Sequence, residues 1–124
     1  MNAVGIDVSK GKSMVCILKP NEDYVCKPFE LLHCKEDLEL LDELLKKLDG
    51  EVKVVMEATG IYNLPILTFL VEKGYFVSVI NPCVMKKYAR NINFRNVKTD
   101  KRDSVTIANY GIEKWFKLQR YECS

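Results

Sequence analysis

The chain has 124 residues, of which 48% are hydrophobic and 29% charged, with a formal net charge of +2. That length fits one domain with a real core, and the composition excludes disordered and collagen-like classes. No apolar run approaches the ~20 residues that cross a bilayer. Met1-Asn-Ala-Val leads directly into a strand pattern with no signal peptide, so the expected location is cytoplasmic and no membrane partner is expected.

The cysteines number five (Cys16, Cys26, Cys34, Cys83, Cys123), an odd count with no C-x-x-C spacing. Reduced thiols are the default for such a set in a chain without a secretory signal. His33 is the sole histidine. It argues against Ser-His or Cys-His catalysis, and one His-Cys neighbour pair is too little for a zinc site of about four ligands.

Ala3 to Val8 reads as a short apolar strand, and Ser9 to Lys12, containing Gly11, as a hairpin turn. Met14 to Leu18 is a second strand. Pro20 to Asp23 has turn chemistry. Tyr24 to Leu32 is a third strand, placed at an edge by Pro28, which cannot donate to a ladder. Short links between the three predict an antiparallel meander.

Leu38, Leu41, Leu44, Leu45 and Leu48 then recur at helical spacing, with charged residues between them and Gly50 as the stop. Val52 to Met56 is a fourth strand, parallel to a neighbour because a helix precedes it. A second helix is expected from about Tyr62 to Lys73, with Pro65 in its first turn. Tyr75 to Ile80 is a fifth strand. Asn81-Pro82 opens a third helix, Asn91 to Lys98 reads as a loop, and a fourth helix begins at Asp100. Its stripe is Ile107, Ala108, Ile112 and Trp115. This order predicts a mixed α/β sheet with helices on its faces.

In such sheets the site lies off the carboxyl ends of the central strands. Asp7 and Glu57 fall there, and Asp100 and Asp103 lie three apart, on one face of the fourth helix. Each acid alone has a plain structural explanation. Asp7 could cap the Ser9 turn, Glu57 could be a surface residue, and Asp100 with Asp103 could be an N-cap and its partner. Together they offer only oxygen ligands, the preference of Mg²⁺ and Mn²⁺. A metal would relieve the mutual repulsion of clustered carboxylates.

Charge is unevenly spread. Glu22 to Glu57 holds eleven acids and five basic residues, whereas Lys86 to Arg102 holds seven basic residues and one acid. Those seven are Lys86, Lys87, Arg90, Arg95, Lys98, Lys101 and Arg102. A local basic stripe points to polyanion binding, against the plain alternative of a solvated helix face. Tyr62, Tyr88, Phe94 and Tyr110 interleave with it and could stack on bases, although Tyr110 and Trp115 fit a packing role better.

Four segments carry a family resemblance: Val4-Gly-Ile-Asp-Val-Ser-Lys10, Met56-Glu-Ala-Thr-Gly-Ile-Tyr62, Val79-Ile-Asn-Pro82 and Lys98-Thr-Asp-Lys-Arg-Asp103. In order and spacing they resemble the amino-terminal domain of the bacterial DEDD transposases, the insertion-sequence group that includes the pilin-gene inverting recombinase. The resemblance implies a ribonuclease-H-like, RuvC-type fold with a mixed five-stranded sheet and helices on both faces. It implies a tetrad of Asp7, Glu57, Asp100 and Asp103 that is both catalytic and metal-binding, using Mg²⁺ or Mn²⁺. It also implies DNA recombination, with a structured guide RNA as a further partner, in the bacterial cytoplasm on the nucleoid. Lys10 joins the basic stripe as an expected nucleic-acid contact, and a dimer or higher homo-oligomer is expected. Ser104 departs from the family, which usually has alanine there. The family acts with a carboxyl-terminal domain bearing a serine nucleophile. Residues 1–124 are expected to form the amino-terminal domain alone, without it.

A DNA recombinase domain is therefore the leading expectation. The alternative is a non-catalytic nucleic-acid-binding and dimerisation module that depends on the serine-bearing domain for chemistry. Gly5-Ile-Asp7 before a hairpin also resembles a phosphate loop of sugar kinases and actin-like ATPases. No second Asp-x-Gly loop or Gly-rich adenosine motif follows it.

Overall fold

The structure is a computed structural model that describes residues 1–58, 60–92 and 101–122. Strands β1 (Asn2–Ser9), β2 (Lys12–Lys19) and β3 (Asp23–Leu32) form the meander. Helix α1 (Lys35–Lys46) leads to β4 (Val52–Glu57), and α2 (Leu64–Glu72) leads to β5 (Phe76–Ile80). Helices α3 (Pro82–Ile92) and α4 (Lys101–Glu113) follow. The sheet order is β3-β2-β1-β4-β5, with the meander antiparallel and β1-β4 and β4-β5 parallel.

Strand alternation divides this sheet into two packed faces. On one face Val4, Ile6, Val8, Val15, Ile17, Val54, Met56 and Val77 meet Leu38, Leu41 and Leu45 of α1 and Ile66, Leu67 and Leu70 of α2. Glu36 and Asp37 occupy the first turn of α1, where the helix dipole favours acids. The Asp37 carboxylate also accepts the Leu32 amide at 2.9 Å.

The other face is covered by α4, which lies directly on β1. A Cβ built on Gly5 would stand 2.3 Å from the Ala108 nitrogen and 2.4 Å from the Ser104 oxygen. One built on Gly111 would stand 2.9 Å from Val55 Cγ2 and 3.1 Å from the Ala3 Cβ. Gly111 thus sits over Ala3 and Val55, while Ser104 and Ala108 sit over Gly5, so α4 runs antiparallel to β1. Its first turn arrives at the carboxyl end of β1.

Lys53 fixes the other end of α4. Its ammonium donates to the Trp115 carbonyl at 2.8 Å. It also lies 4.7 Å from the Phe76 ring centre and 4.8 Å from that of Trp115. Trp115 lies in a 3-10 turn (Trp115–Lys117) beyond α4, not on its stripe as expected, because Lys114 leaves helical geometry at φ −103°, ψ 19°. Two further boundaries differ from expectation. Residues 60–63 form a 3-10 turn ahead of α2, and α3 extends through Ile92, into the expected loop. Beyond the 3-10 turn, Tyr121 donates its amide to Val77 on the outer edge of β5.

Candidate active site

The strand register and the seat of α4 bring the acids to one end of the sheet. Gly5 faces α4, and Asp7 is two residues further along β1, so alternation turns it to the same side. Gly5 pairs with Val55, which also faces α4, and Glu57 is two residues beyond it at the end of β4. Asp7 and Glu57 are both half-buried. Asp103 is exposed in the first turn of α4, one residue before Ser104, whose carbonyl covers Gly5. Asp100, Arg95, Lys98 and Phe94 lie outside the described residues, as do the side chains of Lys101 and Arg102.

Glu57 registers the crowding. Burial, and after it the negative charge of Asp103, push its carboxyl above its ordinary value. Among the described residues no three histidine, cysteine, aspartate or glutamate side chains gather closely enough to hold a metal ion. The described contribution is the Glu57-Asp103 pair with Asp7 on the same face. Its donors are all carboxylate oxygens, which suits a hard divalent cation.

Two turns frame the site. The Ala58 amide donates to the Ile80 carbonyl at 2.9 Å and ties the segment after Glu57 to the end of β5. Asn81 accepts the Cys83 amide at 2.7 Å on its side-chain oxygen, which starts α3. Between α3 and α4 opens a cleft of about 450 Å³, with Glu57 and Asp103 in its lining. The rest of the described lining is Pro82, Cys83, Met85, Lys86 and Ala89 from α3 and its start, and Thr106 and Ile107 from α4. Helix α4 therefore uses two faces. Ser104, Ala108 and Gly111 meet the sheet, and Asp103, Thr106 and Ile107 meet the cleft.

Of the predicted basic residues, Lys10 is exposed in the turn after β1, and Lys86, Lys87 and Arg90 are exposed on α3. Only Lys86 among them lines the cleft. Tyr62 is 45% exposed beside Ile61 at 73% in the 3-10 turn after Glu57, so it is free to stack. Tyr88 is buried and bonded to Glu113 and Asn109, and Tyr110 packs edge-on against it at 5.1 Å. These two rings join α3 to α4, and their role is packing. His33 bonds the buried Ser13 at 2.7 Å. Cys16 is buried, which raises its thiol to about 12.

Of the described cleft lining, sequence reasoning named Glu57, Lys86 and Asp103 as site residues and missed the rest. The available signal was the spacing of Thr106 and Ile107 from Asp103, three and four residues along one helix face.

The transposase family model of the DEDD type matches residues 4–123. The chain belongs to the DEDD transposase family. Among curated relatives of this transposase domain are the pilin gene-inverting proteins of Moraxella bovis and Moraxella lacunata. Each is 26% identical over 111 residues, or 90% of this chain and 34% of the relative. The chain thus spans about a third of the length of those relatives. Among solved structures it is similar to T. thermophilus RuvC in complex with a Holliday junction substrate. That match has a TM-score of 0.68 and 13% identity, covering 98% of this chain and 99% of the other. A second Thermus thermophilus RuvC structure matches at a TM-score of 0.63 and 10% identity, over 97% and 99%. The transposase domain therefore has the RuvC-like, ribonuclease-H-like fold. Among its described residues no helix is long and apolar enough to cross a membrane.

Proposed function

We propose that this domain supplies the metal-binding half of a DNA recombinase site, with Asp7, Glu57, Asp100 and Asp103 as its acids. The observation that carries the reading is that Glu57, at the end of β4, and Asp103, in the first turn of α4, line one cleft at the carboxyl end of the two central parallel strands. Asp7, Glu57 and Asp103 would hold Mg²⁺ or Mn²⁺, with Asp100 as the fourth acid of the family motif. Such a cation, when bound, stabilises negative charge on the oxygens of a phosphodiester undergoing displacement. Lys10, Lys86, Lys87, Arg90, Arg95, Lys98, Lys101 and Arg102 bind and orient the nucleic-acid backbone. The substrate is DNA, as for the RuvC neighbour in its junction complex. A structured guide RNA is a further partner of the same basic surface, and a homo-oligomer, dimer or higher, is the working form.

Thermal melts with Mg²⁺ and Mn²⁺ test this reading, because a ligand that binds only the folded state raises its stability. Stabilisation is expected in the wild type and is expected to vanish in Asp7→Asn and in Asp103→Asn. DNA cleavage or strand transfer is then measured with the same variants.

One observation favours a second reading. Lys10, Lys86, Lys87 and Arg90 are all exposed, and holding a phosphate backbone with them needs no metal. On that reading the domain is a nucleic-acid-binding module whose metal site is completed only by substrate or by another part of the protein. Salt-sensitive DNA binding with no response to metal would select it.

A further inference from the structure

The cleft between α3 and α4 is larger than the carboxylate pair requires. At about 450 Å³ it falls within the ~300–1,000 Å³ range of pockets that hold small organic ligands. Its composition is also divided. Met85, Ala89 and Ile107 give it an apolar wall, with Met85 and Ile107 themselves buried. Glu57 and Asp103 supply its acidic lining, and among the described residues Lys86 is the one basic residue in that lining.

A continuous duplex presents phosphates and stacked, paired bases, and its backbone is held by exposed cations such as Lys87 and Arg90. An apolar-walled recess offers nothing to such a surface. It does suit one base that has left its stack, since a flipped base is received by apolar and aromatic side chains in a confined site. The base's own phosphate would remain within reach of Lys86, and the neighbouring phosphodiester would lie toward Glu57 and Asp103. Ala89 makes the room, because a larger residue at that half-buried position would project into the recess.

We infer that the α3-α4 cleft is a binding site for a single unpaired nucleotide of the DNA strand that lies at the Glu57-Asp103 pair. This rests on the nucleic-acid reading of the site and narrows its substrate to DNA that is locally unpaired. The base sits against Met85, Ala89 and Ile107, and Lys86 holds its phosphate.

The test is competition binding in Ca²⁺ buffer between two 20-base-pair duplexes, one fully paired and one with a single bulged nucleotide. The wild type is expected to prefer the bulged duplex by about tenfold or more, since a pre-unstacked base avoids an unstacking cost of a few kcal/mol. Ala89→Trp, which fills the recess, is expected to abolish that preference and leave affinity for paired DNA unchanged. Cys83→Trp, at an exposed position on the same lining, repeats the test if Ala89→Trp lowers the melting temperature. Lys86→Met is expected to reduce the preference, and Lys87→Met is not.

Equal affinity for both duplexes, or a preference that survives both tryptophan variants, overturns the inference. Absence of binding to either duplex overturns the nucleic-acid reading beneath it. A bulge preference that persists in Asp103→Asn while cleavage is lost leaves the pocket in place and separates it from the chemistry.

Discussion

A methyl group on Gly5 would meet backbone atoms of α4 at 2.3 and 2.4 Å, and backbone cannot swing aside as a side chain can. Overpacking costs about 1–3 kcal/mol and sometimes more. Gly5→Ala is expected at or above the top of that range in urea unfolding, and it should also weaken the Mn²⁺ response, because α4 carries Asp103. Gly111→Ala meets only side-chain atoms and gains helix propensity of about 1 kcal/mol, so it should be far milder. Similar losses in the two variants would show that the β1-α4 contact is not the tight one. Glu57 gives the pH dependence. Its folded carboxyl titrates above the ordinary value, through burial first and Asp103 second. The fold's preference for the proton therefore contributes stability at low pH. That contribution fades as pH rises from the ordinary carboxyl value through the raised one. Metal-free melts across pH 4–8 should show this decline in wild type and not in Glu57→Gln. The variant should be the more stable of the two at pH 7 without metal, and unresponsive to Mn²⁺. Parallel pH curves would show that Glu57 does not titrate above its ordinary value.

Helix α4 is seated by different means at its two ends, and they differ in how far sequence could reveal them. The leucine stripe of α1 and the alternation in β1 and β4 reported their buried faces directly, since one face of each meets a uniform apolar layer. The acids at the strand ends were readable for the same reason: a strand's register carries its side-chain direction with it. Lys53 was not readable. Alternation assigns it to a face but cannot say that Phe76 and Trp115, 23 and 62 residues away, close around its ammonium. Apolar periodicity puts Trp115 on the helix stripe because it continues through Lys114, where the helical geometry has already ended. Lys53→Met tests this anchor. It keeps much of the stem packing, removes the cation from two rings and leaves the Trp115 carbonyl without its donor. A cost of about 1–3 kcal/mol is expected from a buried unsatisfied acceptor, read by chemical denaturation. A loss below about 0.5 kcal/mol would mean that water takes over the carbonyl and the anchor is dispensable.

Across the whole molecule, a net charge of +2 conceals a division of labour. The acid-rich helix α1 lies on the layer opposite α4, while the exposed basic residues of α3 stand beside the site. The basic stripe was legible as a run of residues but not as a surface. Sequence could not separate Lys86, which enters the cleft, from Lys87 and Arg90, which do not line it. That difference is measurable through counterion release. Each phosphate neutralised by a basic side chain contributes about −0.9 to the slope of log K against log salt on duplex DNA. Lys87→Ala and Arg90→Ala should each make the slope on paired DNA shallower by about 0.9 and weaken all sequences alike. Lys86→Ala should leave the slope on paired DNA nearly unchanged and alter it only on a bulged duplex, where a nucleotide can reach the cleft. If all three variants shift the paired-DNA slope equally, the three cations form one featureless phosphate-binding face, and the cleft adds no discrimination to it.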